Sequence, residues 1–303
     1  MRWLIFLVVL AGCVVSLPEE QGGIDVFFCP QDDCYGQVFD LVVQASVVEC
    51  ALYRVNGPLV GVLEDKGGVV IMDGESKVGP RGAVKRRDGG LMHNKFCVLD
   101  GATVFMGSFN VLENNPNRDN LLVIRSRLLA DNFHQEFVEL SKKNFGAGAS
   151  VDTPVVVLSG SLIENYFCPE DDCEERLLDL LLSANSSIRF MTYSFTSDKI
   201  GSLLVEKHAE GVVVEGILDG GQAGKWSELK LFESAGIPVV VDDEKGDLHH
   251  KVFIVDDAVV WTGSYNPTKN GNGHNDENVV VVHDVAVAAA FIAEFDRLRG
   301  SVE

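Results

Sequence analysis

Residues 93–110 read HNKFCVLDGATVFMGSFN, and residues 249–266 read HHKVFIVDDAVVWTGSYN. Both fit the pattern H-x-K-x4-D-x6-G-S-x-N without a gap. Working outward, FCPQDDC at 28–34 recurs as FCPEDDC at 167–173. Ser46-to-Tyr53 corresponds to Ser186-to-Tyr193, and Asn120-to-Phe137 to Asn278-to-Phe295. Self-similarity over so much of the chain is the signature of a duplicated unit. The stretch between the paired cysteines and the His motif is longer in the second half, so the first half is expected to lack one helix and one strand there. Residues 146–154 are small and turn-rich and read as a linker. The expected division is a signal and tether over 1–22, a first domain over 23–145, the linker, and a second domain over 155–303.

Within each half, helical and strand periodicities alternate. Residues 37–45 and 175–184 carry apolar side chains at helical spacing, and 47–55 and 188–193 are strand-like. In the second half, 198–210 and 225–235 read as helices, and 212–218 and 238–241 as strands. Both His motifs enter β-rich runs, 96–99 and 252–255. This predicts an α/β fold, with helices flanking a mixed sheet in each half. Phe133, Phe137, Phe291 and Phe295 read as core.

The motif residues suit chemistry at a phosphodiester. Residues i and i+2 of a strand face the same side. His93 and Lys95 therefore point together into one pocket, as do His249 and Lys251, while Asn94 and His250 point away. That alternation selects His249 over His250. Two lysines beside a phosphodiester neutralise it and stabilise charge building on its equatorial oxygens. Ser108, Asn110, Ser264 and Asn266 add neutral donors for the same oxygens. With so many donors no metal is required, and no separate carboxylate cluster is arranged for one. Two histidines allow double displacement. A neutral imidazole attacks phosphorus to form a phosphohistidine, and its protonated partner supplies the leaving alcohol with a proton, then activates water or an acceptor alcohol. One such His alone would read as a hydrogen-bonded residue at a strand start; two complete motifs do not.

On these motifs the chain resembles the phospholipase D superfamily, and the resemblance covers nearly everything after the first residues. It implies two tandem, pseudo-twofold-related α/β/α domains that build one site without metal or cofactor. It implies His93 as nucleophile and His249 as acid, an order that the sequence alone does not fix. His93, Lys95 and Asp100, with His249, Lys251 and Asp256, form the catalytic set by resemblance, although the two aspartates usually link strand ends in this family. The resemblance also implies an acidic residue after each motif that orients a His. The candidates are Asp119 and Glu277. Asp119 stands where Glu is commoner, and its shorter side chain is expected to sit farther from its His.

Composition bounds the partners. Across 303 residues the formal net charge is -20, which repels polyanions and counts against a general nucleic-acid binder. Lys77, Arg81, Lys85, Arg86 and Arg87 precede His93, either as a patch for anionic headgroups or nucleic acid or as a solvated loop. Residues 1–13 read as an export signal: Arg2, an apolar run, then LAGC, which resembles a lipobox with Cys13 as the lipidated residue. The alternative is an uncleaved anchor. Either places the body outside the cytoplasm, held at a membrane through its N-terminus. Cys29 with Cys34 and Cys168 with Cys173 are expected disulfides, with a four-thiolate zinc site as the competing reading. Cys50 and Cys97 lie in apolar runs and read as buried free thiols.

Three functions compete: a membrane-surface phospholipase acting on phosphatidyl headgroups, a nuclease of the same superfamily, and a non-catalytic lipid-anchored protein that binds phosphorylated ligands. The tether and acidic body favour lipid, the compact size favours a nuclease, and the intact motifs oppose a binder. Both motifs in one chain favour a monomer.

Overall fold

The computed structural model describes residues 16–302. The first half runs β1 (Glu19–Glu20), β2 (Gly23–Cys29), α1 (Cys34–Gln44), β3 (Val48–Leu52), α2 (Leu59–Lys66), β4 (Val70–Asp73), β5 (Val84–Arg86), β6 (Lys95–Leu99), β7 (Thr103–Gly107), β8 (Asp119–Arg125) and α3 (Arg127–Ser141). The second runs β9 (Val155–Leu158), β10 (Ser161–Cys168), α4 (Cys173–Leu182), β11 (Ser187–Thr192), α5 (Asp198–Ala209), β12 (Val213–Asp219), α6 (Leu229–Ala235) and β13 (Val239–Asp242). It continues through β14 (Lys251–Val255), β15 (Val259–Gly263), α7 (Lys269–Gly273), β16 (Glu277–His283) and α8 (Val285–Val302).

The first sheet has the order β2-β8-β7-β6-β3-β4-β5. The second repeats it as β10-β16-β15-β14-β11-β12-β13 and adds β9 and β1 at one edge. Both are mixed: β3 and β11 each pair parallel on one side and antiparallel on the other. Strand alternation decides what each face touches. On β8, Leu122 and Ile124 enter a core shared by both halves, while Leu121 and Val123 turn outward to a core with α1 and α2. On β16, Val280 and Val282 enter the shared core, and Val279 and Val281 pack with α4, α5 and α6. The shared core also takes Phe133 and Phe137 of α3 and Phe291 and Phe295 of α8, all buried. The two α/β/α units are thus fused through one apolar layer rather than strung on a linker.

Several sequence expectations change. Between the paired cysteines and the His motif the first half lacks only a helix: α6 has no counterpart, but the strand survives as β5, which pairs with β4 over three residues. Cys50 and Cys97 are not free thiols. They face each other on antiparallel β3 and β6 and form a disulfide, alongside Cys29–Cys34 and Cys168–Cys173. The cysteine pairs therefore do not build a zinc site. The last tether residues are docked: β1 pairs with β9, and the Glu20 carboxylate accepts from the backbone of Arg127 and Leu128 at the start of α3. Cys13 and the rest of the signal lie outside the described residues. Among the described residues no helix is long and apolar enough to cross a membrane.

Candidate active site

His93 and His249 each sit just before a strand, β6 and β14, and each is hung from the opposite half. The His93 backbone N–H donates to the Asp276 carbonyl at 2.9 Å, and the His249 N–H to the Arg118 carbonyl at 2.8 Å. Asp73 and Asp219, at the ends of β4 and β12, accept from the backbone N–H of Met92 (3.1 Å) and Leu248 (2.9 Å) and so fix the residue before each His. Two buried cross-half ion pairs, Arg86–Asp276 (2.9 Å) and Arg118–Asp242 (2.8 Å), clamp the same junction.

Nδ1 of His93 lies 2.7 Å from Glu277 of the second half, and Nδ1 of His249 lies 2.7 Å from Asp119 of the first. The two carboxylates therefore reach across the pseudo-twofold, and Asp119 is no farther from its imidazole than Glu277 is from its own. Lys95 and Lys251 are buried beside their own histidines. Their ammonium groups donate to the carbonyls of His93 (2.8 Å) and His249 (2.6 Å). His250 turns away, with Nε2 3.6 Å from Glu294 and Nδ1 3.3 Å from the Asn120 side chain.

The electrostatics follow from burial. Desolvation pulls both imidazoles down to about 4, against the raising effect of Glu277 on His93 and of Asp119 on His249. It pulls Lys95 down to about 7 and Lys251 to about 8, with Glu277 and Asp119 again opposing. Burial also opposes charge on Asp119 and Glu277, but the facing imidazoles and lysines prevail and hold both below the ordinary carboxylate range. The free site is therefore a carboxylate-braced pair of neutral imidazoles.

Not every motif residue joins this centre. Asp100 and Asp256, named with the catalytic set, stand apart from it. Each adopts φ 51° in a turn after its strand, a left-handed conformation that Asp tolerates. Asp100 accepts from the N–H of Ser46 (2.9 Å) and Val47 (2.7 Å), and Asp256 from those of Ser186 (2.7 Å) and Ser187 (3.0 Å). They tie β6 to β3 and β14 to β11. The serine hydroxyls, read as phosphate donors, instead donate to the carboxylates, Ser108 to Asp119 (2.7 Å) and Ser264 to Glu277 (2.5 Å). Gly107 and Gly263 precede them because a Cβ there would collide with the carbonyl oxygens of Asn120 and Asn278. The side-chain oxygens of Asn110 and Asn266 have no protein partner.

The basic run before His93 also splits. Arg86 is buried in its ion pairs, and the Lys85 ammonium donates to the Ser76 carbonyl at 2.6 Å, while Lys77, Arg81 and Arg87 are exposed. A carboxylate cluster that the sequence did not show is present away from the site: Glu136, Glu139 and Glu170 bring oxygens within 4.8 Å of one another. Burial and then the charge of Glu170 hold Glu136 well above the ordinary range. Sequence reasoning also passed over Tyr53 and Tyr193, which end the two matched strand segments. Their rings lie 4.8 and 4.9 Å from those of His93 and His249.

Comparison with known proteins finds relatives of this chain. A family profile described as "Cardiolipin synthase, PLD-like domain" matches residues 69–141 and 177–299. The chain is 34% identical over 140 residues to the mitochondrial cardiolipin hydrolase of Chlamydomonas reinhardtii, covering 43% of this chain and 63% of that protein. It is 38% identical over 124 residues to that of Mus musculus, covering 41% and 56%. A phospholipase D of Rickettsia bellii is 33% identical over 136 residues, covering 45% and 68%. The chain thus spans less than two thirds of either hydrolase, 63% and 56%. The phosphatidylserine synthase of Haemophilus influenzae shares the fold, with a TM-score of 0.67 over 91% of this chain and 85% of that one at 14% identity. A profile matched in both halves of a duplicated α/β fold makes the chain a member of the phospholipase D superfamily.

Proposed function

We propose that the chain hydrolyses phosphodiesters by double displacement, with phospholipid headgroups at a membrane surface as its substrates. The observation that carries this reading is the pair of imidazoles braced at 2.7 Å through Nδ1 by carboxylates of the opposite half, which directs both Nε2 atoms to substrate. Nε2 of neutral His93 attacks phosphorus. The P–O bond to the leaving alcohol breaks as His249 passes it a proton. His249 then takes a proton from water, the hydroxide attacks phosphorus, and the P–N bond breaks to release a phosphomonoester and neutral His93. The diester's negative charge raises His249 enough to hold the needed proton and restores charge to Lys95 and Lys251. Those ammonium groups, with the amides of Asn110 and Asn266, stabilise the equatorial oxygens. The lipid assignment is supported by relatives named cardiolipin hydrolase and phospholipase D, and by the acidic body.

The test is turnover of bis-p-nitrophenyl phosphate, of phosphatidylcholine and cardiolipin vesicles, and of single-stranded DNA, each with and without EDTA. Headgroup release that persists in EDTA is expected. His93→Ala should reduce turnover to background, while His249→Ala should lose about 10²–10⁴-fold on alkyl leaving groups and less on p-nitrophenol. Near-normal turnover in either variant would sink the two-histidine mechanism. DNA cleavage without headgroup release would replace lipid by nucleic acid as substrate.

A further inference from the structure

The two halves repeat their reactive atoms but not the walls around them. Tyr53 is followed by Arg54, whereas its counterpart Tyr193 is followed by Ser194. Four residues beyond Asp73 stands Lys77; four beyond Asp219 stands Ala223. Where Leu91 lies two residues before His93, Asp247 lies two before His249. Arg54 and Lys77 are thus cations of the first half with no counterpart at these positions; Glu75, two beyond Asp73, is a first-half carboxylate where the second half has Gly221, and Asp247 is a second-half carboxylate where the first has Leu91.

Arg54 and Lys77 converge on one cleft of about 370 Å³, which also takes Val55, Val78, Leu112 and Glu75 into its wall. Arg54 links the cleft to the reactive centre through Tyr53. The Arg54 guanidinium lies 4.9 Å from the centroid of the Tyr53 ring, which itself lies 4.8 Å from the His93 ring. Arg54 donates to the Tyr53 hydroxyl at 3.4 Å, and neither Arg54 nor Lys77 has a carboxylate within ion-pair distance among the described residues. In a chain with 45 acidic and 25 basic residues, two unpaired cations in one cleft beside a phosphodiester site are a selective feature.

We propose that this cleft is a subsite for a second anionic group, carried on one arm of the scissile diester, with Arg54 and Lys77 as its specificity-determining residues. The proposal rests on the phosphodiesterase reading above. The Arg54 fork suits two oxygens of a phosphate or carboxylate, and Lys77 supplies a compact charge. Val55, Val78 and Leu112 cover the carbon linker between the two anions. The other arm crosses the second half, where Asp247 disfavours negative charge and Ser194 and Ala223 add no cation. The chemistry is shared by a bisphosphate lipid and by the next nucleotide of a chain.

The test compares matched ligands that differ by one anion: pTpT against TpT, and cardiolipin against phosphatidylglycerol in neutral-lipid vesicles. Each is measured as a competitor of bis-p-nitrophenyl phosphate hydrolysis and by direct binding, in the full chain and in the double variant Arg54→Gln, Lys77→Gln. The ratio within each pair is the readout, so a general loss of activity cancels. The wild-type protein should favour the more anionic member of at least one pair by about tenfold, the scale of one hydrogen bond to a charged group, and the double variant should lose that preference. The pair that shows it identifies the source as lipid or nucleotide. No preference in either pair, or a preference that survives in the double variant, overturns the subsite. Absence of bis-p-nitrophenyl phosphate hydrolysis in the wild-type protein would instead remove the phosphodiesterase reading, while the binding ratios would still decide the subsite.

Discussion

At the middle of the first sheet, Cys50 on β3 faces Cys97 on β6 and is bonded to it; at the same place in the second sheet, Phe190 on β11 faces Phe253 on β14, ring centroids 6.1 Å apart. The next strand compensates. Cys50 pairs with Val70, but Phe190 pairs with Gly216, where any Cβ would strike the Phe190 ring. The core has stayed filled and exchanged its chemistry. The reactive centre has done the reverse. His, Lys, Gly, Ser and Asn are the same in both halves, and the one exchange, Asp119 for Glu277, leaves both carboxylates 2.7 Å from their imidazoles. A core tolerates any combination of side chains that fills it without strain. A reaction centre tolerates only those that put the same atoms at the same distances.

The largest expected effect lies on the conserved side of that contrast. Asp119→Asn and Glu277→Gln should each lower kcat/KM for bis-p-nitrophenyl phosphate by about 10²–10⁴-fold, because the imidazole loses the charge that fixes its tautomer. Asp119→Glu and Glu277→Asp change length but keep charge, and should retain much more activity than the amides. If they lose as much, distance rather than charge carries the role.

The core side is tested by stability. Replacing Cys50 and Cys97 with Ala should cost about 4 kcal/mol in the chain-entropy account, because that bond joins residues 47 apart. Removing Cys29–Cys34, which joins residues 5 apart, should cost about 2 kcal/mol. Gly216→Ala should cost about 1–3 kcal/mol by overpacking Phe190. Urea unfolding under non-reducing conditions measures all three. A neutral Gly216→Ala would show that the Phe190 ring does not need the space above Gly216.

The smallest effect is the shape of the pH profile. Attack needs a neutral His, so kcat/KM should rise with pH through about 4. The lysines must be charged, so it should fall again as pH passes about 7 to 8. A p-nitrophenol leaving group needs no acid and should show that plateau. An alkyl leaving group needs one imidazole protonated, so its kcat/KM should begin to fall just above 4, by about tenfold per pH unit. These apparent values belong to the coupled pair of histidines. Coincident profiles for the two leaving groups would remove the acid from the mechanism.

What was legible in the sequence is what spacing along one strand controls. The shared side of His and Lys and the outward turn of His250 are what strand alternation predicts, although β6 and β14 begin only at the lysines and the histidines stand two residues before them. Contacts between distant strands were not legible. Asp119 and Glu277 were found as candidates, but that each serves the opposite half depends on docking. The Ser108 and Ser264 hydroxyls were aimed at phosphate because nothing local shows a buried carboxylate competing for them. Cys50 and Cys97 look like any apolar strand residues until β3 and β6 are paired. Glu136, Glu139 and Glu170 meet only because α3 packs beside the loop before α4. A three-residue strand such as β5 is too short to show a period.

The hydrogen bonds that join His93 to Glu277 and His249 to Asp119 have a consequence for how such a site could arise. A single unit holds one reactive imidazole and the brace for another, but not both parts of either pair. Before fusion it would have worked only as a symmetric homodimer, with its competent fraction set by protein concentration. Joining two copies replaces that bimolecular equilibrium with a fixed effective concentration. It also removes a constraint: in a homodimer any substitution appears twice, on both sides of the substrate. Only after fusion could one flank gain Arg54 and Lys77 while the other gained Asp247, giving a direction to a site that symmetry would otherwise have left without one.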